Sequence, residues 1–243
     1  MFSAKTRMKA IAMAGAAFGL GLAGAAQAGV VVASSGPSAS QYPKGKKLED
    51  NDRIVLKDGD SVTILDSKGT RVLSGPGTRV VGARGAPNRA KFAMLTRQRS
   101  ATRARTGAVR GGDGTTLTNS NIWNVDTSIS GTMCLADPSL VRLWRPTKDG
   151  VATYSITAPS GGTVNVLFDE GDTDAPWDTQ LLPLSEEVEY TIRGPGGVPE
   201  SKVSFIVLET PPNEPEELAA VLIDKGCTSQ LDLLASTLAM PQG

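Results

Sequence analysis

Apolar and polar residues alternate along much of this chain, and turn-forming residues mark where the alternation stops. Arg53-Ile54-Val55-Leu56, Ser61-Val62-Thr63-Ile64-Leu65 and Thr70-Arg71-Val72-Leu73 each keep an apolar residue at every second position, the period of a strand with one buried face. Asp58-Gly59-Asp60 and Asp66-Ser67-Lys68-Gly69 separate these runs and read as tight hairpin turns, because glycine accepts the positive φ such turns need. Gly75-Pro76-Gly77 marks another turn before Thr78–Val81. Residues 42–83 therefore read as a small β-meander. Residues 29–41, ending in the small-residue run Ala33-Ser34-Ser35-Gly36-Pro37-Ser38-Ala39-Ser40, read as a linker.

The strand pattern returns in Ile122–Val125, Thr132–Leu135, Val141–Arg145, Ala152–Thr157, Thr163–Phe168, Val188–Ile192 and Val203–Leu208. Turns rich in Gly and Pro separate them, and such spacing predicts an Ig-like β-sandwich over 113–210. Trp123 and Trp144 are its expected core anchors. Helical periodicity occupies two places. Residues 88–106 hold neither Gly nor Pro and are rich in good helix formers, with Asn88 placed to cap and Gly107 to stop. Past Pro211-Pro212, Glu214–Lys225 and Ser229–Leu238 predict a helical hairpin over 211–243, with Asn213 and Thr228 as caps and Gly226 between the helices. The expected fold class is mainly β: a small meander plus an Ig-like sandwich, with a basic linker helix over 84–112 and a C-terminal helical hairpin.

The first 28 residues follow another grammar. Lys5, Arg7 and Lys9 precede an apolar stretch from Ile11 to Ala25, and Ala26-Gln27-Ala28 supplies a small-x-small cleavage site. The stretch falls short of the roughly 20 residues of a membrane span, and no later segment is apolar enough to be one. The expectation is a signal peptide cut before Gly29, with no cysteine there to take a lipid. The mature protein is then periplasmic or secreted, without a transmembrane segment.

Lys57-Asp58-Gly59-Asp60, Val62–Leu65, Thr70–Leu73 and Gly75-Pro76-Gly77-Thr78 together resemble the FecR-type β domain of envelope proteins. The resemblance covers residues 42–82 and implies an extracytoplasmic β module rather than iron signalling. Transducers of that family carry a cytoplasmic anti-sigma segment and a membrane anchor, where this chain has a cleavable leader. As a whole the chain looks like a secreted protein of Gram-negative bacteria.

Two cysteines remain, Cys134 and Cys227. In an oxidising compartment the simplest reading is one disulfide, closing a loop for which chain entropy gives roughly 4 kcal/mol. Two buried free thiols are the competing reading. The chain has no histidine, so the commonest general base, metal ligand and triad member is missing. Neither a Ser-x-x-Lys opening a helix nor a Gly-x-Ser-x-Gly elbow occurs, and Ser160 precedes Gly161-Gly162 in what reads as a turn. No catalytic residues and no cofactor are expected, and the chain does not read as an enzyme. The acidic run Asp169–Asp174 lacks an acid at the twelfth position, where Gln180 stands, so no metal site is assigned to it.

Charge changes the picture most. The chain is neutral overall, yet residues 84–110 carry eight cations, seven of them arginine, and no acid. From Gly111 onward six cations face nineteen acids. The basic stretch either lies against acidic surface of its own chain or a neighbour, or faces an anionic surface such as lipopolysaccharide phosphate, anionic lipid or an acidic protein. Nucleic acid is not an expected partner, because no aromatic residue interleaves the arginines to stack on bases. The leading expectation is a non-catalytic binding or scaffolding protein of the bacterial envelope. An envelope protein is its partner, contacted by Arg97, Arg99, Arg103 and Arg105. The alternative is a sandwich that binds carbohydrate or another envelope polymer, with Trp177, exposed in its acidic loop, as the aromatic platform.

Overall fold

The computed structural model describes residues 29–82, 87–98, 117–197 and 199–240. The leader lies outside them, as do Arg99, Arg103 and Arg105. The fold is mainly β, and among the described residues no helix is long and apolar enough to cross a membrane.

The first β body contains β1 (Gly29–Ser35), β2 (Lys47–Leu48), β3 (Arg53–Leu56), β4 (Ser61–Asp66), β5 (Gly69–Ser74) and β6 (Gly77–Val80). One antiparallel sheet has the order β2-β1-β4-β5, and β3 pairs with β6 in a second. The linker expected over 29–41 is thus half wrong, since β1 is an inner strand. Val31 packs with Ile54, Val62 and Ile64 on one face, while Val30 and Val32 enter a different core on the other. A strand buried on both faces shows a continuous apolar run and no alternation, which is why it reads as featureless.

Pairing also departs from a meander. The Asp66–Gly69 turn does join paired strands, with Asp66 accepting from the amides of Lys68 at 2.8 Å and Gly69 at 3.1 Å. Asp58-Gly59-Asp60 instead forms a corner, because β3 leaves for β6 while β4 pairs with β1 and β5. Asp60 holds that corner from inside. Its buried carboxylate accepts from the amides of Ser38 at 2.8 Å and Lys57 at 2.5 Å, tying the end of β1 to the β3–β4 connection.

The second body contains β7 (Val125–Asp126), β8 (Gly131–Leu135), β9 (Arg142–Trp144), β10 (Ala152–Thr157), β11 (Thr163–Phe168), β12 (Asp174–Pro176), β13 (Tyr190–Arg193) and β14 (Ser201–Val207). A five-stranded sheet ordered β11-β10-β13-β14-β8 and a three-stranded sheet ordered β12-β9-β7 enclose one core. Two pairs run parallel, β14 with β8 and β7 with β9, which no hairpin reading anticipates. β12 is fastened to β9 partly by an Arg142–Asp174 ion pair at 2.6 Å.

Between the two bodies lies a helical layer of α1 (Arg89–Thr96), α2 (Pro215–Asp224) and α3 (Thr228–Thr237). Leu218, Ala219, Leu222, Leu231, Leu234 and Leu238 of the C-terminal pair share a core with Val30, Val32 and Leu65 of the first body. The same core takes in Cys134 and Leu208 of the second. The C-terminal hairpin is therefore the middle of the molecule. Neither Asn213 nor Thr228 caps it: the residues at the helix starts are Glu214 and Cys227, and Pro215 opens α2. Gly226 ends α2 at φ 72°, letting Cys227 donate back to Leu222 O at 2.8 Å.

Cys134 and Cys227 form a disulfide that closes 93 residues. One turn along α3, buried Gln230 completes the joint. Its Oε1 accepts from Cys134 N at 2.7 Å, and its Nε2 donates to Cys134 O and Ile122 O, both at 2.8 Å. Gln230→Leu leaves three buried backbone groups unpaired and should destabilise the protein by about 3 kcal/mol, read as a lower urea midpoint. Asp60→Asn tests the corner. Burial alone would raise the Asp60 carboxyl, but the Ser38 and Lys57 amides outweigh it and hold it below its ordinary range. Wild-type stability from this group is present above the ordinary carboxylate pKa and is lost as pH falls through the lowered native value. The variant should be less stable near pH 7, with the gap closing in denaturant titrations as pH falls through the lowered native value.

Candidate docking surface

Helix α1 has little to bury. Phe92 and Leu95 insert into the central core, while Lys91, Ala93, Met94 and Arg97 face solvent. The helix expected to run to residue 106 ends at Thr96, where Arg97 turns extended with ψ 116°. Asn88 does not cap it through its side chain; its amide donates instead to Ser67 O at 2.8 Å.

The end of α1 is satisfied from outside. Three successive carbonyls lose their helical partners there, and the segment around Asn121 supplies a donor to each. Ile122 N reaches Leu95 O at 2.9 Å, the Trp123 indole reaches Thr96 O at 2.7 Å, and Asn121 Nδ2 reaches Arg97 O at 2.6 Å. Asn121 is itself held by Asn119, which accepts from its amide at 3.1 Å. Ile122 and Trp123 are buried in the central core, and Gln230 takes Ile122 O. The strand expected over Ile122–Val125 is thus mostly this clasp. It ties Leu95–Arg97 to Asn121–Trp123, described segments on either side of residues 99–116.

Of the four arginines expected to contact a partner, Arg97 is exposed at this base and Arg99, Arg103 and Arg105 lie outside the described residues. Arg89 makes a loose, largely exposed contact with Glu214 at 3.8 Å. Beside Leu117 lies an open groove of about 390 Å³ between α3 and the β7–β8 connection. Its walls include Ile129, Met133 and Leu233, with Asp126 and Asp232 among them. The second body is rich in acids, and several of its cations pair with them: Arg142 with Asp174, Arg193 with Glu200 and Lys202 with Glu189.

The acidic loop is arranged around a cation of the chain itself. Buried Arg145 donates to Asp172 O at 2.9 Å, Gly150 O at 2.9 Å and Asp169 O at 3.1 Å, and lies 5.1 Å from the Phe168 ring centre. Among the described residues no three metal-ligating side chains converge.

Trp177 is the clearest correction. It is 3% exposed rather than displayed in that loop. It lies edge-on to Tyr190 at 5.4 Å and Phe205 at 5.8 Å, and its indole donates to Leu182 O at 3.0 Å. Ala175 faces in and Pro176 out along β12, so the next residue must turn inward. The expected polymer platform is a core residue; Trp123 and Trp144 are buried too, but Trp123 lies in the central helical core rather than in that of the sandwich.

Sequence reading missed Asn121, Arg145, Gln230 and Glu216. Only Gln230 carried a signal: it falls four residues before Leu234, on the apolar face of α3. Glu216, at the start of α2, is 8% exposed. Burial, with Glu214, Asp66 and Glu217 adding negative charge, pushes its carboxyl above the ordinary range. Asn121→Ala should loosen the clasp without touching the core. The Ile122 amide, donated to Leu95 O, is expected to exchange with deuterium about tenfold faster, as for one lost hydrogen bond.

Neither protein-family models, nor curated proteins, nor solved structures give a match to this chain, so its own geometry must carry the functional reading.

Proposed function

We propose that this protein is a non-catalytic, exported binding or scaffolding component of the bacterial envelope that works through protein–protein contacts. The observation that carries the reading is the clasp at the base of the basic stretch. Three hydrogen bonds fix Leu95, Thr96 and Arg97 to the segment around Asn121, so the stretch that carries the arginines starts from a rigid base. A guanidinium binds carboxylate or phosphate through two parallel donors, which suits an acidic envelope protein or an anionic envelope surface. The acid-rich second body favours display: its own net charge would hold an acidic partner off everywhere except at this stretch.

Two features support the envelope location. The leader has the three regions of an export signal, and a disulfide persists in oxidising compartments. In this reading residues 42–82 form a FecR-like module joined to an Ig-like sandwich, and the helical layer fixes their relation. With Trp177 inside the core, the carbohydrate-binding alternative lacks its aromatic platform. The same scarcity of reactive side chains argues for adhesion rather than turnover.

The Arg97→Ala, Arg99→Ala, Arg103→Ala, Arg105→Ala variant tests the reading. It removes no buried side chain among the described residues, so its melting temperature should match wild type. Recovery of a specific partner from solubilised envelope should fall at least about tenfold, as for the loss of several charge-assisted contacts. Unchanged recovery of that partner would sink the assignment to this stretch.

A further inference from the structure

β1 opens at a buried glycine. The register Val30↔Leu65 sets Gly29 across from Asp66. A Cβ at Gly29 would stand 3.0 Å from Ile64 Cγ2, 3.1 Å from Leu65 O and 3.3 Å from Asp66 Cβ. The strand therefore starts hard against the β4–β5 turn. The same turn meets the other helices, since Asn88 donates to Ser67 O at 2.8 Å and the neighbouring Arg89 approaches Glu214 at 3.8 Å. Glu216 follows on α2, which packs on both β1 and β4. One pole of the molecule thus gathers Gly29, Asp66, Glu214, Glu216 and Glu217.

The charges at this pole do not balance. Asp66 is satisfied by two amides and by Arg71 at 2.8 Å. Glu214 has its loose contact with Arg89, and Lys68 sits on the turn. Glu216 is more than nine-tenths buried, and its Oε2 is fully enclosed with no hydrogen-bond partner among the described residues. An enclosed carboxylate without a partner is costly. Its position next to three further acids makes it more so.

We propose that the partner of Glu216 is the α-ammonium group of Gly29, created when the leader is cut between Ala28 and Gly29. The proposal rests on the export reading. Hydrolysis adds water across the Ala28–Gly29 amide: the carboxylate leaves with the leader, and the amide nitrogen becomes a protonated amine on Gly29. A neutral N–H at the edge of the pole is thereby replaced by a positive charge with three donors. Before the cut, burial and the neighbouring acids oppose ionisation of Glu216, and stability is lost as pH rises past the ordinary carboxylate range. After the cut, that loss is offset by an ion pair. Processing and consolidation of the fold become one event. Gly29 suits both ends of this role, being small enough for the packed strand start and small enough for the peptidase.

A two-by-two comparison tests the pair. One chain begins at a free Gly29, released from a cleavable fusion that leaves no extra residue; the other begins at Ala26 and keeps the three leader residues. Each is made as wild type and as Glu216→Gln. Near pH 7 the free-Gly29 wild type should melt about 3 °C above the extended one, as for a pairing of one pKa unit in a chain of this size. The difference should vanish in the Glu216→Gln pair. The Gly29 amine should also react with an acylating ester about tenfold more slowly in wild type than in the variant. An equal melting gap in both backgrounds, or equal amine reactivity, overturns the ion pair while leaving export intact. N-terminal sequencing of the exported protein that finds another start overturns the processing premise, and the proposal with it.

Discussion

The structure depends on the joint between α3 and β8. Cys227 and Gln230 lie one turn apart on the helix and both engage Cys134, one through sulfur and the other through its backbone. A helix laid across the end of a sheet leaves strand amides and carbonyls with no ladder partner. Gln230 satisfies such groups, having a donor and an acceptor on one short arm. The disulfide restrains the unfolded chain and the amide satisfies the folded one, so the two contributions are of different kinds. Through this joint the second β body is fixed to the helices, and the shared apolar core fixes the helices to the first body.

A second theme is the use of polar side chains as internal braces where regular ladders fail. Asp60 braces a corner between sheets, Asp66 a tight turn, Asn121 the end of a helix and Arg145 two loops. Each is largely enclosed and each pairs mainly with backbone groups. Such contacts hold irregular chain in place without apolar surface, which suits a protein only 5% aromatic. They also explain why the acidic loop needs no bound cation for its shape: the Arg145 guanidinium occupies its carbonyls. Glu216 departs from this economy, because its enclosed oxygen has no such contact.

The division of charge takes its meaning from the same architecture. Arg97, the last described arginine of the basic stretch, stands at the clasp that joins the end of α1 to Asn121–Trp123. An unanchored stretch of the same composition would merely be a solvated linker. Under the proposed function, anchoring at the clasp would lower the entropy lost on engaging a partner.

Most one-face-buried strands of both bodies were legible because alternation is a local property; Arg53–Leu56, Ala152–Thr157 and Thr163–Phe168 were read to the residue. The C-terminal helices and the concentration of basic charge were equally local and visible, and the disulfide followed from there being only two cysteines. Tertiary structure alone decided the rest. Gly29–Ser35 became an inner strand because two cores meet on it, and β3 chose β6 over its neighbour in sequence because Asp60 turned the chain aside. Trp177 went inward because β12 set its parity. In each case the deciding partner lies far away along the chain, where no periodicity can reach. A single sequence records which residues want burial, but which core receives them is settled only when distant segments compete for the same space.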